Sequence, residues 1–158
     1  MQLTALTEIK KYDFGIKALP HGPGNVTSLE TLLLVSCKGL QHLDFLDAMP
    51  KLWDLRIVYC PLLESLSDGL VNLVSLEVLT LSNCEKLQHL PSGDAMRRLT
   101  KLRYLRISGC PHLGESCPNE WSKISHIPSI DWADSGSTDW LCSTERNHEL
   151  RFSGSFAG

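Results

Sequence analysis

Leu76-Glu77-Val78-Leu79-Thr80-Leu81-Ser82-Asn83-Cys84-Glu85-Lys86-Leu87-Gln88-His89-Leu90-Pro91 carries the pattern that decides the fold. Leu79 and Leu81 alternate with Val78, Thr80 and Ser82, the period of two that a half-buried strand requires. Cys84 closes the strand, and Leu87 and Leu90 follow at intervals of three. Working outward, the same phrase recurs as Leu29, Leu32, Leu34, Cys37, Leu40, Leu43; as Leu52, Leu55, Ile57, Cys60, Leu63, Leu66; and as Leu102, Leu105, Ile107, Cys110, Leu113. The copies start 23, 24 and 26 residues apart.

A strand phrase repeated at roughly 20–29 residues is the signature of leucine-rich repeats. A single unit cannot bury its apolar face, so the units must stack. The expected fold is an α/β-type repeat: a leucine-rich-repeat solenoid with a curved parallel sheet on its concave side and irregular or short helical segments on its convex side. Val26-Thr27-Ser28-Leu29, Leu73-Val74-Ser75-Leu76 and Leu99-Thr100-Lys101-Leu102 parallel one another and mark a regular approach to each strand. Pro20 and Pro91 follow the last leucine of a repeat, where a fixed φ directs the chain onto the convex side. Pro61 and Pro111 follow the cysteine directly and suit a turn just past the strand.

Cys37, Cys60, Cys84 and Cys110 are read as a structural ladder, since their spacing copies the repeat period. A thiol is a weak donor but a small, readily buried group, suited to the inside of a bend. Cys117 and Cys142 fall outside the ladder and would pair only in an oxidising compartment. No Cys-x-x-Cys is present, so no metal is expected.

Residues 1–28 read as a degenerate leading repeat and connector. Leu3 and Leu6 start a strand, Ile9 breaks the alternation, and Ile16 with Leu19-Pro20 resembles a repeat ending. Residues 29–117 hold the four leucine-rich repeats. The pattern dissolves after Cys110, and residues 118–132, with Trp121, Ile124, Ile127, Ile130 and Trp132, read as a C-terminal cap over the open end of the core. Residues 133–158 are polar and favour a flexible tail. Repeat-like sequence begins almost at Met1 without a cap, so the chain is expected to be the C-terminal piece of a longer protein.

Composition narrows the function. A 158-residue chain with 42% hydrophobic and 21% charged content has enough apolar sequence for one elongated domain. A net charge of −3 gives no electrostatic reason to expect nucleic acid or an anionic membrane as partner. No run approaches the roughly 18 apolar residues of a membrane span, and no secretory leader is visible.

The phrases Leu76 to Pro91 and Leu102-Arg103-Tyr104-Leu105-Arg106-Ile107-Ser108-Gly109-Cys110-Pro111-His112-Leu113 resemble the C-terminal leucine-rich repeats of plant intracellular disease-resistance receptors with a nucleotide-binding module. Trp121-Ser122-Lys123-Ile124-Ser125-His126-Ile127-Pro128-Ser129-Ile130 resembles the way many of those receptors end. The likeness covers about residues 26–132. It implies a cytoplasmic protein-recognition and autoinhibitory module in the defense response. Its partners would be a pathogen effector or guarded host protein and the nucleotide-binding module of its own full-length chain. The family's phosphate loop is missing, so this chain is expected to be no enzyme and to take no cofactor.

Alternation then names the residues on the outward, concave side: Thr31, Leu33, Val35; Asp54, Arg56, Val58; Val78, Thr80, Ser82; Tyr104, Arg106, Ser108. Stacking sets Leu33, Arg56, Thr80 and Arg106 in one row. Tyr104, Arg56, Arg106 and the nearby Trp53 and Tyr59 are residue types enriched at binding hot spots. The plainer alternative is a solvated sheet face with occasional aromatics.

Two other families remain open. Substrate-binding repeats of F-box ubiquitin-ligase adaptors also place Cys at the ladder, but the residues after each Cys here, Lys-Gly-Leu, Pro-Leu-Leu, Glu-Lys-Leu and Pro-His-Leu, differ from their phrase. Extracellular leucine-rich-repeat receptors usually place Asn in the ladder. Asn25-Val26-Thr27 would matter only on the secretory route. No zinc-protease, calcium-loop, dinucleotide or nucleophile-elbow spacing occurs. His42 and His89 hold equivalent repeat positions, which explains them without catalysis.

Overall fold

The computed structural model describes residues 8–12, 28–43, 49–115 and 122–133. Strands β1 (Glu8–Tyr12), β2 (Thr31–Val35), β4 (Asp54–Val58), β6 (Val78–Ser82), β7 (Tyr104–Ser108) and β8 (Ser129–Ala133) form one six-stranded sheet in the order β1-β2-β4-β6-β7-β8. Every pairing is parallel. A smaller sheet joins β3 (His42–Leu43) to β5 (Ser65–Leu66), and Ser65 bridges onward to His89.

The register follows from the leucines. Leu32, Leu55, Leu79, Leu105 and Ile130 stand opposite one another across successive strands, as do Leu34, Ile57 and Leu81 with Ile107. These side chains are buried. Because strand side chains alternate, a one-residue slip would turn both columns to solvent, so the buried face sets the pairing. Each fully buried leucine contributes about 1.5–3 kcal/mol relative to exposure. The rest of each unit closes on the same core through Leu40 and Leu43, Leu63 and Leu66, Leu87 and Leu90, and Leu113.

The segments leading into the strands are short and helical or turn-like. A 3₁₀ helix spans Asp68–Asn72, with the Ser67 side chain accepting from the Gly69 amide at 3.2 Å. Helix α1 (Gly93–Arg98) is capped the same way by Ser92, which accepts from the Ala95 amide at 3.2 Å, while Arg97 and Arg98 oppose the carbonyl end of the helix. The Ser92 amide donates to Asp68 Oδ1 at 2.8 Å and ties the two segments together. Pro111 opens α2 (Pro111–Glu115), where a missing amide proton leaves no helical bond unmade.

Two sequence expectations need correction. Ile9 does not break the strand pattern: β1 occupies Glu8–Tyr12, and Ile9 pairs with Leu32 at the regular leucine position. The departure is Lys11, in register with Leu34. At the other end the pattern does not stop at Cys110. Ile127, Ile130 and Trp132 repeat the spacing of Leu102, Leu105 and Ile107, and the segment read only as a cap contributes β8, with Ile124, Ile127 and Ile130 buried. The expected strand at Leu3 and Leu6, the ending at Ile16 to Pro20, Trp121, Cys117, Cys142 and all of the tail after Ala133 lie outside the described residues.

Candidate protein-recognition face

Each strand of the large sheet from β2 to β7 ends in the same turn. Ser36, Tyr59, Asn83 and Gly109 have φ of 55°, 54°, 53° and 62°, the left-handed conformation that turns the chain sharply away from the sheet. The Ser36, Tyr59 and Asn83 amides each donate to the last strand carbonyl of the following unit, Val58, Ser82 and Ser108, at 2.8–2.9 Å. The next residue is always a ladder cysteine, buried inside the bend and free of disulfide. Each thiol donates to the carbonyl two residues back, at 3.8 Å for Cys37, 3.7 Å for Cys60 and 3.5 Å for Cys84 and Cys110. Cys84 and Cys110 also approach the carbonyls of Ile57 and Leu81 in the preceding unit. Removal from water pushes the Cys60 thiol up to about 11. Contact with the Cys110 thiol, then burial, raises Cys84 as well. These are protonated packing groups, poor nucleophiles and poor metal ligands.

With β2, β4, β6 and β7 held in register at both ends, the outward positions form three rows. The first is Thr31, Asp54, Val78, Tyr104 and Ser129, the middle is Leu33, Arg56, Thr80, Arg106 and Asp131, and the last is Val35, Val58, Ser82 and Ser108. Glu8 and Lys10 of β1 extend the first two and form an ion pair at 2.9 Å.

Trp53 is not on the sheet face itself. It sits one residue before β4, 41% exposed, at the edge where its carbonyl accepts from the Glu77 and Val78 amides. Tyr59, 57% exposed, stands at the opposite end of the same strand. Trp53 and Tyr59 therefore bracket β4, while Tyr104 alone of the three aromatics joins the rows.

Two ion pairs dominate the middle of the face. The Arg56 guanidinium grips the Asp54 carboxylate with Nε at 3.0 and 3.1 Å and Nη2 at 2.8 Å. This hydrogen bonding, then the carboxylate's charge, raises the Arg56 pKa. One strand beyond Arg106, Asp131 Oδ2 lies 3.7 Å from Arg106 Nε and accepts from the Tyr104 hydroxyl at 3.4 Å. Between these pairs, the Ser82 and Ser108 hydroxyls join at 3.0 Å.

No protein-family model matches this sequence, and no curated protein does.

Asp131 was absent from the sequence-derived face because its strand was not recognised. The Ile127-x-x-Ile130-x-Trp132 spacing was the available signal. On the small sheet, His42, Ser65 and His89 stand side by side, with His42 Nδ1 3.3 Å from the Ser65 hydroxyl. Among the described residues no group of three His, Cys, Asp or Glu is placed to hold a metal ion. No helix among them is long and apolar enough to cross a membrane.

Proposed function

We propose that this chain is the leucine-rich-repeat recognition module of a plant disease-resistance receptor. In that role the repeats stack as a solenoid. Its outward strand residues bind a pathogen effector or guarded host protein in the cytoplasm, and the module restrains the nucleotide-binding part of its own full-length chain until they do. The observation that carries the reading is the contrast between the two faces of one sheet. Beneath it the leucine columns repeat almost without change, while above it each strand offers a different set, from Leu33 and Val35 to Arg56, Thr80 and Arg106. Stacked repeats that vary only on one face suit protein recognition, with arginine and aromatic residues as anchors. The family within that class rests on the resemblance of the Leu76–Pro91, Leu102–Leu113 and Trp121–Ile130 phrases.

The proposal assigns the chain no catalysis, cofactor or metal of its own. Sequencing the gene upstream of the Met1 codon tests it. A module with a phosphate loop is expected there, and that module should copurify with this chain when the two are coexpressed as separate pieces. An F-box or a secretory leader in that place would overturn the reading, as would robust ATP turnover by the purified chain.

A further inference from the structure

The two ion pairs on the sheet are layered in the same sense. The Asp54 side chain is 7% exposed beneath an Arg56 side chain 55% exposed, and Asp131 is 15% exposed beside an Arg106 side chain 52% exposed. Both carboxylates are withdrawn and both guanidinium groups are presented to solvent. Each pair is formally neutral, yet its more exposed member is the arginine. The Lys10–Glu8 pair lacks this layering, at 48% and 51%.

Thr80 stands between the two arginines in the middle row, on the strand that separates theirs. Its strand carries no charge on the outward face, where it shows Val78, Thr80 and Ser82. The N-terminal edge of the sheet carries Glu30, Trp53, Glu77 and Arg103 on successive strands, of which Glu77 and Arg103, opposite in charge, stand nearest Thr80. Tyr59, Asn83 and Gly109 at the C-terminal edge are uncharged.

We propose that Arg56, Thr80 and Arg106 form an anion-reading row whose ligand is an acidic peptide segment of the partner protein. The proposal rests on the recognition role above and names the chemistry of what is recognised. Two strand spacings separate the backbone positions of Arg56 and Arg106, about 10 Å. Carboxylates three residues apart in a polyproline-II segment lie about 9 Å apart on the same side, which suits one carboxylate per arginine with the Thr80 hydroxyl beneath the intervening residues. Asp54 holds the Arg56 guanidinium through contacts of 2.8–3.1 Å, and Asp131 stands 3.7 Å from Arg106 Nε, so less side-chain freedom is lost on binding.

The test uses the full 158-residue chain and a fluorescein-labelled peptide of repeating Glu-Pro-Pro units, read by anisotropy at low salt. Saturable binding is expected, falling as salt rises, with none to the same peptide carrying Gln for Glu. Thr80→Asp sets a carboxylate between the two arginines without removing either, and should weaken the peptide about tenfold. Thr80→Asn should bind nearly as the parent does. Arg106→Gln and the paired change Asp54→Asn/Arg56→Gln, which leaves no carboxylate stranded, should each weaken binding several-fold, while Arg103→Gln should not. Absence of binding, indifference to Thr80→Asp, or equal binding of a single-stranded oligothymidylate would overturn the row. Those results would leave the receptor reading standing, and an upstream F-box would overturn that reading while leaving the row intact.

Discussion

Gly109 and Asn83 occupy the same left-handed turn in adjacent units, and the Asn83 side-chain oxygen fills the space that a Cβ at Gly109 would need. Gly109 is thus fixed both by its φ of 62° and by its neighbour. Gly109→Ala should destabilise the fold by about 1–2 kcal/mol from the backbone conformation alone, and by more while Asn83 stays in place. Urea denaturation measures both parts. The loss should shrink in an Asn83→Gly background, and an unchanged loss would assign it all to the backbone.

Tyr59 holds the same turn with the opposite balance. A β-carbon and a bulky ring sit at φ 54°, and the ring is 57% exposed, so little packing offsets the strain. Asn tolerates this conformation better than Tyr and already fills it in the next unit. Tyr59→Asn should therefore raise stability by about 0.5–1 kcal/mol. A drop in the denaturation midpoint would show that the ring packs more than its exposure indicates.

These turns show why the sequence was only partly legible. The interior is a periodic signal, and four units spelled with leucine and cysteine gave the strands β2, β4, β6 and β7 and their rows directly. The two outer strands use the same spacing with other letters. In β1 the pattern is Ile9 and Lys11, and in β8 it is Ile130 and Trp132 with no cysteine three residues later. A search keyed to leucine passes over both, and with β8 it loses Asp131. The left-handed turns were hidden for another reason: Ser, Tyr, Asn and Gly share a backbone angle without sharing a side-chain chemistry. Trp53 stands just off the rows because alternation ends where the strand does.

The thiol ladder makes stability depend on alkaline pH. A thiol that titrates near 9 when unfolded and is pushed up to about 11 at Cys60 holds its proton more tightly in the native chain. Its contribution is complete below pH 9 and is lost as pH rises from about 9 through 11, since the unfolded state gives up protons first. Cys84, raised in the same direction, adds to the loss. Each tenfold difference in acidity between the folded and unfolded thiol is worth about 1.4 kcal/mol, so the urea midpoint should fall by the equivalent of a few kcal/mol across that window. At pH 8 the four ladder thiols should react with a chromogenic disulfide no faster than the chain unfolds. Cys84→Ser should cost about 1–3 kcal/mol, because the Ser82 carbonyl sits 3.5 Å from the sulfur, too far for a good hydroxyl hydrogen bond without movement.

Asp54 is the one charged side chain buried among the described residues, and the Arg56 guanidinium supplies the hydrogen bonds and the charge that face both its oxygens. The two partners are therefore unequal. Removing Asp54 leaves an arginine half in water, which solvent serves well. Removing Arg56 leaves a carboxylate withdrawn from water with its donors gone. Arg56→Ala should destabilise by about 1–3 kcal/mol, Asp54→Asn by less, and the double change by clearly less than the sum. A thermodynamic cycle by urea denaturation at neutral pH measures the coupling. Additive losses would mean that water already reaches Asp54 and that Arg56 is held by the sheet alone, which would remove the physical basis for a guanidinium locked in place before its ligand arrives.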